Sequence, residues 1–104
     1  NIAGTGTKQL LFRAVGPTLA SFGVGGTLVD PVLEVYSGST KIAENDNWAA
    51  SLSTTFAAVG AFNLTAGSRD AALLTSLAPG AYTVQVRGVN NGTGEALVEI
   101  YEVP

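Results

Sequence analysis

Short runs of alternating apolar and polar residues, separated by turns rich in glycine and proline, constrain this chain more than any other feature. The clearest run is Tyr82–Val89, which places Tyr82, Val84 and Val86 on one face of a strand and polar residues on the other. Turn residues roughly every 8–12 positions between such runs are typical of antiparallel sheets. The pattern predicts strands at Lys8–Val15, Val32–Tyr36, Thr40–Glu44, Asp70–Leu77, Tyr82–Val89 and Glu95–Val103.

These strands predict an all-β fold, an antiparallel β-sandwich of immunoglobulin-like or jelly-roll-like type with about seven strands and one short helix. At 104 residues the chain is expected to form a single domain over residues 1–104. In the last strand, Ala96, Val98 and Ile100 are expected to point inward, while Glu95 and Glu99 face water.

One segment has a helical period instead. Trp48, Leu52, Phe56 and Val59 recur at spacings of four, four and three residues. This stripe predicts a short helix that lies over the sandwich as a lid, and Gly60 is a suitable residue to end it.

The composition argues against catalysis and against several classes of partner. The chain has no histidine and no cysteine, so it lacks the commonest general base and a thiol nucleophile. Its eight acidic residues are scattered, which disfavours the paired carboxylates of a glycosidase. A formal net charge of -3 offers no basic surface to nucleic acid, and no apolar run is long enough for membrane insertion. We therefore predict that the protein is not an enzyme.

The small number of charges favours self-association. Only 12% of the residues are charged, about half of the usual quarter. Weakly charged surfaces keep molecules apart less effectively than charged ones. Copies of the same chain are therefore the predicted partners.

Potential calcium ligands crowd together at Asn45-Asp46-Asn47. Calcium takes about six to eight oxygen ligands, which loop carboxylates and carbonyls supply, and Asp30 or Asp70 could contribute from another loop. Two interpretations stay open: a calcium site formed by Asn45, Asp46, Asn47 and Asp70, or a turn that caps the following helix.

Trp48 follows this segment directly, and it also has two interpretations. An exposed tryptophan can stack on a sugar ring, whereas its position at the head of the apolar stripe favours a place in the lid. Asn63-Leu64-Thr65 and Asn91-Gly92-Thr93 both fit the pattern of N-glycosylation acceptors and fall in predicted loops, so Asn63 and Asn91 are candidate modification sites.

Arg13 lies between Leu11 and Val15 on one face of the first predicted strand. Either this face is exposed to solvent, or Arg13 is a buried cation that needs a carboxylate partner, for which Asp30 and Asp70 are candidates. A contact across a subunit interface is the alternative to such a structural ion pair.

The segment Leu77-Ala78-Pro79-Gly80-Ala81-Tyr82 looks like the corner of fibronectin-like and immunoglobulin-like sandwiches. In that corner a tyrosine at the start of a late strand hydrogen-bonds back across the loop. Tyr82 is therefore predicted to stabilise the fold, with stacking on a ligand as the alternative.

Several blocks in fixed order resemble a module found in large exported proteins of Verrucomicrobia and related bacteria. The blocks are Leu11–Leu19, Asp30–Tyr36, Asn45–Trp48, Gly67–Leu74 and Leu77–Val84. The resemblance spans nearly the whole chain and implies an extracellular or cell-surface location rather than a reaction. The chain is more distantly similar to bacterial pre-peptidase C-terminal domains, which are non-catalytic and of which some bind calcium or polysaccharide.

One departure from the resemblance suggests how copies could join. In that module another strand-like stretch usually precedes the block beginning at Lys8, whereas this sequence has only Asn1–Thr7 before it. A sandwich that lacks a strand keeps an open edge, which a second copy can fill by strand addition. The residues predicted for this assembly edge lie in Asn1–Thr7 and the strands Lys8–Val15 and Glu95–Val103: Ile2, Leu11, Arg13, Val15, Leu97 and Tyr101.

The sequence therefore predicts a non-catalytic extracellular structural module that assembles with itself, as in a fibre or surface layer, and that requires no cofactor. The alternative is a carbohydrate-binding or adhesion module that uses calcium at the Asn45–Asn47 segment and stacks polysaccharide on Trp48.

Overall fold

The computed structural model describes residue 2 and residues 4–104. In this part of the chain six strands form two antiparallel sheets of three strands each. The first sheet has the order β4-β1-β6 and the second has the order β3-β2-β5. The strands are β1 (Lys8–Val15), β2 (Pro31–Ser37), β3 (Thr40–Asn45), β4 (Ala71–Leu77), β5 (Tyr82–Gly88) and β6 (Leu97–Glu102). The predicted antiparallel sandwich is thus confirmed, with six strands rather than about seven.

The helical content is small, as the sequence predicts. One α-helix, α1 (Ser53–Ala58), is accompanied by 3-10 turns at Pro17–Phe22, Ala50–Leu52 and Val89–Asn91. The Asn45–Asn47 segment does not cap α1, because Leu52 holds the N-cap position and makes no side-chain capping bond. Across the described residues no helix is both long and apolar enough to span a bilayer.

The main core fills the space between the two sheets. From β1, alternate residues Leu10, Phe12 and Ala14 point towards the second sheet, where they meet Leu33 and Val35 of β2. All five side chains are buried, because β1 and β2 are the central strands of their sheets. The inward face of β5 joins this cluster, as its alternating sequence predicts.

A second core lies on the opposite face of β1, under the lid formed by Trp48, Leu52, Phe56 and Val59. Leu11 and Val15 are completely buried there against Phe56. Central strands that are covered on both faces have few polar positions, which explains the nearly continuous apolar sequence of β1.

This second core corrects the predicted assembly edge. Leu11, Arg13 and Val15 belong to β1, which is hydrogen-bonded to β4 on one side and to β6 on the other. All three side chains are fully buried within their own chain. The prediction that they form an open edge is therefore wrong.

Candidate functional site

One side of the sandwich is closed, where β3 lies against β4. The side-chain oxygen of Asn45 accepts a hydrogen bond of 3.1 Å from the backbone N–H of Ala72, and its amide donates one of 3.1 Å to the carbonyl of Asn47. The backbone N–H of Trp48 donates to the carbonyl of Asp70 at 3.1 Å. Asn45 at the end of β3 therefore joins the two sheets, and the loop after it is bonded to the residue that precedes β4.

On the other side the sheets separate between β5 and β6, leaving an apolar cleft with a volume of about 300 Å³. Its floor is formed by Leu10 and Phe12 of β1. Its walls include Tyr82 and Val84 from β5 and Ile100 from β6. The main core is therefore open to solvent along this side.

The same separation of the two sheets explains why apolar residues of β6 are exposed to solvent. In the register with β1, Ile100 lies opposite Phe12 and Val98 opposite Ala14, so both point towards the space between the sheets as predicted. They are nevertheless 55% and 47% exposed, because β5 lies too far away to cover them. Their inward orientation therefore does not bury them. Leu97, on the lid face, is 40% exposed.

The outer edge of β6 presents unpaired backbone groups. The N–H of Val103 donates to the carbonyl of Gln9, which lies opposite to it, at 2.9 Å. Because residues of an antiparallel strand point their backbone groups alternately to either side, the odd-numbered residues of β6 bond to β1. The N–H and C=O groups of Val98, Ile100 and Glu102 consequently point outward, away from the sheet.

The outer edge of β5 also presents unpaired backbone groups, and one residue, Ile2, already pairs in line with it. The N–H of Val89 donates to the carbonyl of Asp30 at 3.0 Å, so the even-numbered residues of β5 point their backbone groups outward. In line with this edge, Ile2 and Gly80 exchange two backbone hydrogen bonds of 2.7 and 2.8 Å in antiparallel orientation. Ile2 therefore lies at the open side, and the rest of that edge is free within the described residues.

Arg13 is a buried cation enclosed by aromatic rings. Its guanidinium lies 4.6 Å from the ring centre of Phe56 and 4.5 Å from that of Phe62, and it donates a hydrogen bond of 2.7 Å to the carbonyl of Phe62. Its Nε lies 3.0 Å from a carboxylate oxygen of Glu99, without the angle of a hydrogen bond. Burial lowers the pKa of Arg13, while the charge of Glu99 opposes that shift.

Glu99 also accepts a hydrogen bond of 2.6 Å from the hydroxyl of Tyr101. This bond, together with burial, raises the pKa of Tyr101. Neither of the carboxylates predicted as partners, Asp30 or Asp70, pairs with Arg13. Glu99, which was expected to face water, instead shares the lid face with Arg13, since the two residues lie opposite each other in the β1–β6 register. Tyr101 is thus held in the second core and does not project from an edge.

Asp70 is a fully buried carboxylate with four hydrogen-bond donors. It accepts bonds from the backbone N–H groups of Gly16 at 2.8 Å and Thr18 at 3.2 Å, and from the hydroxyls of Thr18 and Ser68. Ser68 in turn accepts a bond of 3.1 Å from the indole N–H of Trp48. This network joins three of the sequence blocks that carry the resemblance, and its role is structural.

Two of the four predicted calcium ligands, Asn45 and Asp70, are engaged in bonds within the chain. Asp70 has no free access to solvent, and the amide of Asn45 is bonded within the chain. The structure therefore does not bring Asn45, Asp46, Asn47 and Asp70 together as a site. Among the described residues no group of three or more acidic, histidine or cysteine side chains is placed to hold a metal.

Two of the acidic residues considered as calcium ligands, Asp30 and Asp46, do lie close to each other. Burial raises the pKa of Asp30, and the neighbouring carboxyl group of Asp46 raises it further. The guanidinium of Arg69, 3.9 Å from a carboxylate oxygen of Asp30, partly offsets the shift. The negative charge of Asp46 therefore disfavours the ionised form of Asp30.

Trp48 and Tyr82 both have the structural roles that the sequence favours. The indole of Trp48 is half-buried in the lid, with its ring centre 5.4 Å from that of Phe56. The hydroxyl of Tyr82 donates a hydrogen bond of 2.6 Å to the carbonyl of Ala78, which confirms the predicted corner. The indole of Trp48 therefore does not lie free on the surface to stack on a sugar.

The two candidate glycosylation sites are accessible. Asn63 and Asn91 are both exposed outside the strands. Asn91 has a positive φ of 60°, a conformation that asparagine tolerates better than most residues. Their modification stays a prediction.

Comparison with known proteins adds no family to this picture. No protein-family model, no curated protein and no solved structure matches the chain.

Proposed function

We propose that this chain is a non-catalytic structural module of exported bacterial proteins that works outside the cell. Its copies associate at the open side of the sandwich, by adding a strand to the edges of β5 and β6. The extracellular location rests on the sequence resemblance, and the mode of association rests on the geometry of the cleft.

The observation that carries this proposal is the exposed apolar edge of β6. Val98 and Ile100 are each about half exposed, next to outward-pointing backbone groups. An edge of this kind is a template for pairing with another chain, and soluble proteins normally protect it. An added strand would give these backbone groups partners and would cover the cleft.

The expected association is weak for a single contact. Full burial of a valine or isoleucine side chain contributes about 1.5–3 kcal/mol of favourable free energy. Covering a half-exposed one therefore contributes about 1 kcal/mol to the free energy of association. Association itself costs at least about 4 kcal/mol in lost freedom of motion. Two side chains from each copy barely offset that cost, so the backbone hydrogen bonds and further cleft residues must contribute. Assembly should therefore depend strongly on concentration.

Light scattering coupled to size-exclusion chromatography, over a wide concentration range, tests the proposal, with negative-stain microscopy at the highest concentration. We expect a mass that rises with concentration, and a monomer for Val98→Lys, because an edge lysine opposes strand pairing. The matched control is Ile42→Lys on β3, where the side chain is 43% exposed at the opposite side. A monomer at every concentration would overturn the proposal.

The alternative is a calcium-assisted carbohydrate-binding or adhesion module, and one observation favours it. The neighbouring carboxyl groups of Asp30 and Asp46 could be neutralised by a cation, with ligands added from the nearby loops. A cation that binds only the native state must raise the melting temperature. A rise with calcium that chelator reverses, and that Asp46→Asn abolishes, would support this alternative. No rise, together with no retention on polysaccharide columns, would exclude it.

A further inference from the structure

The structure limits how two copies could meet in the proposed association. The contact described below rests on the proposed function. We infer that β6 pairs antiparallel with β6 of a second copy across a two-fold axis, with Ile100 lying next to the axis. The partner is therefore an identical chain, and the interaction surface is the outer edge formed by Val98, Ile100 and Glu102.

The position of the two open edges favours this arrangement. A two-fold axis perpendicular to the first sheet joins two such sheets into one six-stranded sheet of order β4-β1-β6-β6-β1-β4. Because the axis is perpendicular to the sheet, the inward faces of both copies stay on the same side. The two β5 edges then approach each other across the axis, so that one contact covers both clefts.

Backbone geometry limits the registers that this pairing can have. The outward-pointing backbone groups belong to even-numbered residues, so an even-numbered residue must lie opposite an even-numbered residue of the partner. Of the registers that this rule allows, those centred on Glu99 or Ile100 lie nearest the middle of β6, while one centred on Tyr101 extends the pairing beyond Glu102, the last residue of β6. The Val98-centred register extends the pairing into residues 94–96, which precede β6 and form no regular strand.

Charge decides between the other two registers. Centring on Glu99 places two glutamates directly opposite each other, an arrangement that destabilises antiparallel pairs. Centring on Ile100 places Ile100 opposite its own copy and Glu99 opposite Tyr101, the residue type that already donates a hydrogen bond to Glu99 within one chain. In this register no two like charges between Val98 and Glu102 lie directly opposite each other.

The absence of cysteine from the sequence allows a direct test of this register. In Ile100→Cys the two thiols would lie next to the axis, within reach of a short bis-maleimide cross-linker. Ile42→Cys is the matched control, since Ile42 is comparably exposed but lies on β3 at the closed side. Circular dichroism and melting curves would first establish that both variants fold like the parent chain.

We expect covalent dimers to be the main product for Ile100→Cys and only a minor product for Ile42→Cys, at concentrations where light scattering detects assembly of the parent chain. We also expect Ile100→Lys to remain a monomer. If the parent chain assembles but the two cysteine variants cross-link equally, this contact is wrong while the proposed function stands. If the parent chain stays a monomer, both are wrong.

Discussion

Replacing the buried Asp70 by alanine should destabilise the fold more than any surface change. The substitution removes the acceptor of two backbone N–H groups, from Gly16 and Thr18, and of the hydroxyls of Thr18 and Ser68. The two hydroxyls can rotate towards other partners, but the backbone N–H groups are fixed by the turn that follows β1. Asp70→Ala therefore leaves two buried donors without an acceptor.

The magnitude follows from these two donors. A buried donor left without a partner costs about 1–3 kcal/mol, so the pair costs about 2–6 kcal/mol. Removing the carboxylate also relieves the free-energy cost of burying a charge, which places the net loss near the middle of that range, at about 3 kcal/mol. A domain of this size has a free energy of unfolding of about 5–15 kcal/mol, so the loss is large. Asp70→Asn keeps one carbonyl oxygen for the N–H groups and should lose only about half as much.

Urea unfolding followed by the fluorescence of Trp48 measures these losses, because Trp48 is the only tryptophan and is linked to Asp70 through Ser68. The control is Glu95→Ala, which removes an exposed carboxylate and should change the free energy of unfolding by less than about 0.5 kcal/mol. A loss below about 1 kcal/mol for Asp70→Ala, or equal losses for the alanine and asparagine variants, would refute the argument from fixed backbone donors.

Three further predictions test other parts of the structure. Glu99→Gln leaves the guanidinium of the second core buried without a counterion and should cost about 3 kcal/mol in urea unfolding; an unchanged midpoint would contradict the buried ion pair. Because the pKa of Asp30 is raised in the native state, the folded chain binds this proton more tightly than the unfolded chain, so the contribution of Asp30 to stability should rise as pH falls from neutral towards the ordinary value of 3.8, whereas the contribution of Glu44, whose pKa is lowered by Lys41, should fall. Asp46→Asn should raise the melting temperature at pH 7 and flatten the part of the pH dependence that Asp30 contributes, in melts recorded across pH; a lower melting temperature would count against this effect of the charge of Asp46. Gly16→Ala would press its Cβ against the backbone carbonyl of Leu28 and should cost about 3 kcal/mol, whereas Gly25→Ala, with no atom within 4 Å, should be nearly neutral; equal effects in melting experiments would contradict this packing.

Local features of the sequence were enough to predict the elements of this fold. The boundaries of β1 agree residue by residue with the predicted Lys8–Val15, and the alternation in β5 correctly assigns its buried face. The stripe from Trp48 to Val59 correctly predicts a lid. Alternation and helical spacing depend on neighbouring residues only, so a single sequence contains them.

The partners of buried polar groups could not be predicted in the same way. Glu99 was expected to face water because its apolar neighbours Val98 and Ile100 were assigned to the core. Only the β1–β6 register, a pairing between residues more than eighty positions apart, places Glu99 beside Arg13 under the lid. Likewise, the sequence offered Asp70 as a metal ligand or ion-pair partner, and its real partners come from the turn after β1.

The open cleft was the hardest feature to foresee. An apolar residue that points between two sheets is normally buried, so the alternation of β6 predicts its orientation but not its exposure. Exposure depends on how far β5 diverges from β6, which is a property of the packed sheets. The sequence did indicate an open edge from the low charge content and the resemblance, but it assigned that edge partly to β1, which is central.

The difference between the two sides of the sandwich supports an interaction at the open one. On the closed side, β3 has an irregular register opposite Val35 and Tyr36, and its Lys41 lies 2.9 Å from Glu44. Bulges and charged side chains are the features with which natural sheets prevent edge-to-edge association. The open edge of β6 has a regular register with β1 and presents Val98 and Ile100, while Glu99 pairs with Arg13 inside the chain and the charge of Glu102 lies at the end of the strand, 3.3 Å from Lys8. A regular, unpaired edge with the apolar side chains of Val98 and Ile100 exposed is what the proposed association requires.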